Sequence, residues 1–386
     1  MPGSSIVNDL SSVELANIRI MTALTAVWFV ALGASLGSFL NVIVYRVPLG
    51  RSLWRQPSAC PNCGTPIRLG DNIPIFGWIK VGARCRSCRW PIPIRYPLVE
   101  LAVALQFLIL LFATVVSGGE SLPYRTPDHY AGVVWTVWYA KYPDLLQIYG
   151  FHLLGLYLLL AVCLMGFDGR RIPQAFISVS LGLLLGYAFL FPAVYPQDQL
   201  ILTPAGFTWD DRFTAIGCGL GGWLVGGFFA ATQVSGAISR TVPCLRSGWI
   251  FAFGIFGIIF GWQAALTMAI AALPLWWILA AASLLSGQNL MRGMLLILPL
   301  MATLFAVWWR DVDAFVSRQL ESGFWIYLWS AAFLSLLTSR LPVPPMKHLI
   351  AADEIDEHVT HSLTSSALPQ ATLIEPHVPS TDGPSN

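Results

Sequence analysis

Stretches of roughly twenty apolar residues recur along this chain, almost free of charged side chains, and no other feature constrains its fold as much. A helix that spans a bilayer needs about 20 mainly apolar residues. Such stretches lie at 20–44, 97–117, 149–167, 174–194, 214–234, 249–269, 271–287, 293–309 and 322–339. Only 11% of residues are charged and 56% are hydrophobic, against about 25% charged in soluble domains. The fold class expected is an all-α polytopic membrane protein of about 8–9 transmembrane helices, with a small zinc-binding cytoplasmic loop domain. The 16 Trp suit long membrane–water boundaries, where indole rings settle. Net charge is only +2 and the basic residues are scattered over short loops, so no nucleic-acid footprint is present. There is no repeat of the solenoid kind.

Charge bias orients the spans. The loop 45–96 carries Arg46, Arg51, Arg55, Arg68, Lys80, Arg84, Arg86, Arg89 and Arg95 against Asp71 alone, which places it in the cytoplasm. Counting onward, Arg170 and Arg171 fall inside, Asp198, Asp210 and Asp211 outside, Arg240 and Arg246 inside, and Asp311, Asp313 and Glu321 outside. The N-terminal segment 1–19 is then outside and the first span, 20–44, reads as retained rather than as a cleaved signal. Residues 97–309 form the main transmembrane domain, 310–340 an additional span, and 341–386 a disordered tail whose His358 and His361 are solvated. Residues 118–147 read as an aqueous loop on the outer surface, and Pro274 leaves open a kinked span with a re-entrant piece within 249–287.

Seven cysteines are present. Cys163, Cys218 and Cys244 stand alone near apolar segments and read as small buried hydrophobes. The other four form two C-x-x-C pairs, Cys60/Cys63 and Cys85/Cys88, separated by 21 residues. Four thiolates close a tetrahedral shell around Zn²⁺ and leave no open position, so the site is structural. Two disulfides are the alternative, disfavoured in a reducing compartment, and a redox dithiol would account for only one of the pairs.

Around these cysteines the sequence resembles the type IV prepilin peptidases, membrane aspartic proteases that are also N-methyltransferases. The resemblance rests on Gly33-Ala34-Ser35-Leu36-Gly37-Ser38-Phe39-Leu40-Asn41-Val42, Tyr45-Arg46, both C-x-x-C pairs, Asp71-Asn72-Ile73-Pro74, Gly77-Trp78 and Arg95-Tyr96-Pro97-Leu98-Val99-Glu100. It continues more faintly through Arg170-Arg171-Ile172-Pro173 and Gly261-Trp262-Gln263 to about residue 309. It implies a location in the inner (plasma) membrane. It also implies cleavage of type IV pilin-like or type II secretion pseudopilin precursors at the cytoplasmic face, with methyl transfer from S-adenosylmethionine. The family's chemistry needs two aspartates that share a proton, one activating water and one polarising the scissile carbonyl.

At those two positions the chain departs from the family. Aligned on Ile172-Pro173, the first aspartate position holds Gly166, with Asp168 two residues on; aligned on Gly261-Trp262-Gln263, the second holds Trp249, after Gly248. Asp168 is the candidate catalytic residue, although Asp168-Gly169 is also a strong turn dipeptide. No residue stands as the second aspartate, and a rearranged dyad would draw on Glu100 or Asp71. Three readings follow: a peptidase with a rearranged dyad, a proteolytically inactive member that methylates or binds prepilins, and a non-enzymatic scaffold for pilus assembly.

Overall fold

The computed structural model describes residues 11–54, 57–127, 132–195, 208–233, 243–286 and 293–315, with isolated positions 318 and 333. The expected last span 322–339, apart from position 333, and the tail with His358 and His361 lie outside the described residues. The long elements are α1 (Ser12–Arg46), α2 (Phe76–Lys80), α3 (Arg95–Leu110), α4 (Pro143–Phe167), α5 (Gln174–Leu190), α6 (Trp209–Gln233), α7 (Pro243–Phe260), α8 (Trp262–Ser286) and α9 (Gly293–Val307). A π-helical turn, Leu111–Val116, extends α3, and another covers Val134–Trp138. Four described helices are long and apolar enough to cross a membrane: Ser12–Arg46, Arg95–Val116, Pro143–Phe167 and Trp209–Thr232. A fifth arises if Gly293–Val307 and Trp309–Phe315, bent by 84°, are taken together. The expected 8–9 spans are not reached among the described residues, where 174–190 and 246–260 form shorter apolar helices.

Three boundaries differ from the sequence reading for identifiable reasons. Helix α1 begins at Ser12, well before residue 20, because Ser11 and Glu14 make a reciprocal capping box that satisfies its first N–H groups. The break expected near residue 270 falls instead at Gly261, whose φ of +86° interrupts the helix, and α8 then runs through position 274. Within the segment read as an aqueous loop, several described residues pack inward: Leu122 and Val133 are each 1% exposed and Thr136 is fully buried. Arg310 makes this packing possible by donating to the carbonyls of Gly119, Leu122 and Arg125, and Arg125 in turn pairs with Asp144 in the first turn of α4.

Between helices in lipid there is little hydrophobic drive, so small residues that let backbones approach do much of the packing. Gly33 and Gly37 of α1 stand four apart and face α3; a Cβ on Gly33 would lie 2.9 Å from the Ala104 Cα, and one on Gly37 2.6 Å from the Glu100 Cα. Gly222 and Gly226 of α6 face the backbone of Gly257 and Phe253 on α7 in the same way. Tyrosine hydroxyls join further pairs, Tyr149 to the Phe107 carbonyl at 3.0 Å and Tyr157 to the Leu36 carbonyl at 3.1 Å, and Gln106 donates to Thr303 across buried surface.

The adjacent glycines of α6 give a direct check. A Cβ at Gly221 meets nothing within 4 Å, whereas one at Gly222 runs into the Gly257 backbone. Gly222→Val is expected to destabilise by about 1–3 kcal/mol or more, the range for overpacking, while Gly221→Val leaves the thermal midpoint in detergent near that of the parent.

Candidate functional site

The chain between α1 and α3 builds the same knuckle twice. In the first, the Cys60 N–H donates to the Thr65 carbonyl, the Gly64 N–H returns to the Cys60 carbonyl, and Ala59 bridges Pro66. In the second, 25 residues on, the Cys85 N–H donates to the Trp90 carbonyl, the Arg89 N–H returns to the Cys85 carbonyl, and Arg84 bridges Pro91. Each turn closes on a left-handed residue, Gly64 at φ +68° and Arg89 at φ +60°. The two loops bring Cys60, Cys63, Cys85 and Cys88 together, with all four sulfurs within 4.8 Å of one another.

Their spacing fits a tetrahedral ion of zinc's size. Cys60 and Cys88 Sγ are 3.7 Å apart and Cys63 and Cys85 Sγ 3.9 Å. With Zn–S near 2.3 Å, the edge of a ZnS₄ tetrahedron is about 3.8 Å. The cluster can therefore hold a metal ion, and its four thiols are unbridged. Burial raises the Cys60 thiol to about 11. The other three are lowered by local donors: Thr65 at Cys63, the backbone N–H groups of Cys88 and Ser87 at Cys85, and the Asn62 side chain at Cys88. N–H groups aimed at sulfur stabilise thiolate, the form a metal binds.

Asp71, in the segment between the knuckles, is tied to the second of them. Arg86 of the second knuckle grips it with both ends of its guanidinium, at 2.5 and 2.7 Å, and Lys80 stands 3.5 Å away. The hydrogen bonds from Arg86 hold this carboxyl down at about 2. Trp78 adds an indole N–H bond to the Ile92 carbonyl at 3.0 Å.

The knuckles join the helix ends of one side of the bundle. Asn41 of α1 donates to the Tyr96 carbonyl of α3, and Arg170, just past α4, lies over the Tyr45 ring and donates to the Tyr45 carbonyl. Glu100, 8% exposed, accepts the Ile75 N–H at 2.6 Å and the Ser38 hydroxyl. Ile75 takes φ +63°, ψ −56°, a costly conformation for a β-branched residue, and Glu100 holds it there.

Gly166, one of the two positions aligned with the family's aspartates, packs here against Gly248, the neighbour of the other, Trp249. A Cβ on Gly166 would lie 3.4 Å from the Gly248 Cα and 2.8 Å from Leu295 Cδ1; one on Gly248 would lie 3.2 Å from the Gly166 Cα. The ends of α4 and α7 are thus in backbone contact with the buried Leu295 beside them. Trp249 is 1% exposed and its ring packs tilted, centroids 4.8 Å apart, against Phe253. Asp168 caps α4 in a Schellman turn, with the Arg170 N–H on the Met165 carbonyl, the Gly169 N–H on the Gly166 carbonyl, and Gly169 at φ +71°. A carboxylate at a helix C-terminus opposes the helix dipole, and Arg95 offsets it with a 2.5 Å ion pair. Among the described residues no second carboxylate bonds to Asp168: Glu100 is engaged by Ile75 and Asp71 by Arg86 and Lys80. Sequence reading identified the cysteines but not the Arg95–Asp168 pair, which joins residues 73 apart.

Two outcomes are expected of the purified chain. Elemental analysis finds one tightly held metal ion per chain, lost together with thermal stability in Cys85→Ser. Asp71, whose folded pKa lies below its unfolded value of about 3.9, contributes stability at neutral pH that is lost as pH falls from about 4 toward 2. The gap in thermal midpoint between parent and Asp71→Asn should therefore be present at pH 7 and close through that window.

Comparison with known proteins addresses the same part of the chain. Residues 31–114 match the Bacterial Peptidase A24 N-terminal domain. The prepilin leader peptidase/N-methyltransferase of Myxococcus xanthus is 49% identical over 88 residues, 23% of this chain and 26% of that protein. That of Pectobacterium carotovorum is 37% identical over 105 residues, 21% of this chain and 38% of its own. The type 4 prepilin-like proteins leader peptide-processing enzyme of Escherichia coli is 39% identical over 104 residues, 22% of this chain and 39% of its own. The matches thus span about a quarter to two-fifths of these relatives' length. No solved structure matches the chain. Residues 31–114, which contain both cysteine knuckles and most of the α3 span, are thus the part of the chain that is similar to the N-terminal domain of these prepilin leader peptidase/N-methyltransferases.

Proposed function

We propose that this chain is a multi-pass protein of the cytoplasmic membrane that binds prepilin or pseudopilin precursors without aspartyl protease chemistry at the family's site. Support comes first from Gly166 and Trp249 standing where the alignment would require two carboxylates, with Gly166 packed against Gly248 and Leu295 and with Trp249 buried. An aspartate pair works by sharing one proton between close oxygens, and here that space is filled by backbone and apolar side chains. A positioned general acid–base group contributes roughly 10²–10⁴ in rate, so losing both removes the chemistry. The knuckle domain, by contrast, has every thiol in place and carries the identity to the relatives. The ion suited to it is Zn²⁺ in a structural role, and the positive charge of the loop supports a cytoplasmic side for it. Methyl transfer from S-adenosylmethionine remains an implication of the resemblance to the family.

A second reading has one observation in its favour. Asp168 stands at the same helix end as Gly166, two residues on, and would serve as an aspartate if Arg95 released it and another carboxylate came near. Incubation of the purified protein in detergent with a matching prepilin, followed by mass spectrometry, separates the two. The expected result is intact prepilin retained on the immobilised chain, equally with the parent and Asp168→Asn. Cleavage by the parent that disappears in Asp168→Asn would overturn the proposal and place the chemistry on Asp168.

A further inference from the structure

Two segments of the knuckle domain fold back along the helices that anchor it. Trp54 lies eight residues past the end of α1, yet its ring is 5.8 Å from Phe39, seven residues before that end. At 1.5 Å per residue that is about 10 Å down the helix. Arg46 holds the return in place by donating to the carbonyls of Ser52, Leu53 and Pro57. Trp54 is nevertheless 85% exposed. The second segment is the start of α2. Its Ile75 N–H is fixed to Glu100, five residues into α3, again about 7 Å along a spanning helix. Beside that anchor Ile73, Phe76 and Ile79 are 51%, 70% and 61% exposed, with Phe76 and Ile79 three apart on one side of α2.

These exposed side chains sit at the depth of the outer turns of membrane-spanning helices, where aromatic rings and apolar side chains find the headgroup–acyl boundary. The same domain presents exposed Arg68, Arg84 and Arg89, which form no ion pair among the described residues, and Asp71 is already taken by Arg86 and Lys80. A domain that carries both exposed apolar groups and uncompensated cations complements an anionic lipid surface, and cations near such a surface strengthen its attachment.

We infer that the knuckle domain is seated in the bilayer interface, with Trp54, Phe76 and Ile79 entering the headgroup–acyl boundary and Arg68, Arg84 and Arg89 meeting lipid phosphates. The domain then holds its helix-end face at a fixed height above the membrane, and the metal keeps it rigid enough to do so. The inference rests on the membrane placement of α1 and α3 and not on binding of prepilins.

The test uses the full chain in liposomes of phosphatidylethanolamine and phosphatidylglycerol with no other protein. p-Benzoylphenylalanine replaces Trp54 and, separately, Phe76; both are exposed positions, and metal content confirms that each variant is folded. On irradiation the expected product is the chain plus the mass of one phospholipid at both positions, with loss of yield when phosphatidylglycerol is replaced by a zwitterionic lipid. Absence of lipid adducts, or cross-linked dimers in their place, would overturn the inference: the first leaves these side chains in water, the second makes the patch a contact between copies.

Discussion

Contact between helix backbones at glycine is the constraint on which the rest of this molecule depends. It appears at α1 against α3 through Gly33 and Gly37, at α6 against α7 through Gly222 and Gly226, and at α4 against α7 where Gly166 meets Gly248. In lipid such approach replaces the hydrophobic drive available in water, because dispersion contacts and buried polar bonds are what remain. The first two contacts build the bundle. The third is the same kind of packing at Gly166 and beside Trp249, the positions that align with the family's aspartates, and the proposed lack of aspartyl chemistry rests on it.

The knuckle domain follows a different logic. It has almost no apolar core of its own, with Cys60 and Gly77 among its few buried residues. Small domains of this kind depend on a metal for folding energy. Four thiols at tetrahedral spacing, an Asp71–Arg86 tie to the second knuckle and the Trp78 indole bond supply the order that hydrophobic burial does not. Arg46 on the carbonyls of Ser52, Leu53 and Pro57, and Glu100 on the Ile75 N–H, attach the domain to α1 and α3, and these helices meet the end of α4 through Arg95–Asp168 and Arg170–Tyr45.

How much of this was legible beforehand varied with the range of the interaction. The paired C-x-x-C spacing gave the metal cluster, because each knuckle is a local turn and only the joining of two knuckles is long-range. The apolar runs gave the helical membrane architecture, though not its boundaries: the Ser11–Glu14 capping box and the left-handed Gly261 were both signals in the sequence that a hydropathy reading passes over. The packing within residues 118–147 was not legible, since it depends on Arg310 nearly two hundred residues away. Nor was the Arg95–Asp168 pair, for the same reason. The alignment had placed Gly166 and Trp249 where aspartates were expected, but only the fold shows that Gly166 and Gly248 touch.

The most direct test of the central claim is an electron-microscopy map of the full chain in a lipid nanodisc, resolved to side chains at the ends of α4 and α7. The account expects Gly166 against Gly248, Leu295 packed beside them, Trp249 tilted against Phe253, and the Asp168 carboxylate on Arg95. A map in which those helix ends stand apart, with Asp168 free of Arg95 and a second carboxylate within hydrogen-bonding reach of it, would contradict the account and restore an acid pair to this membrane face.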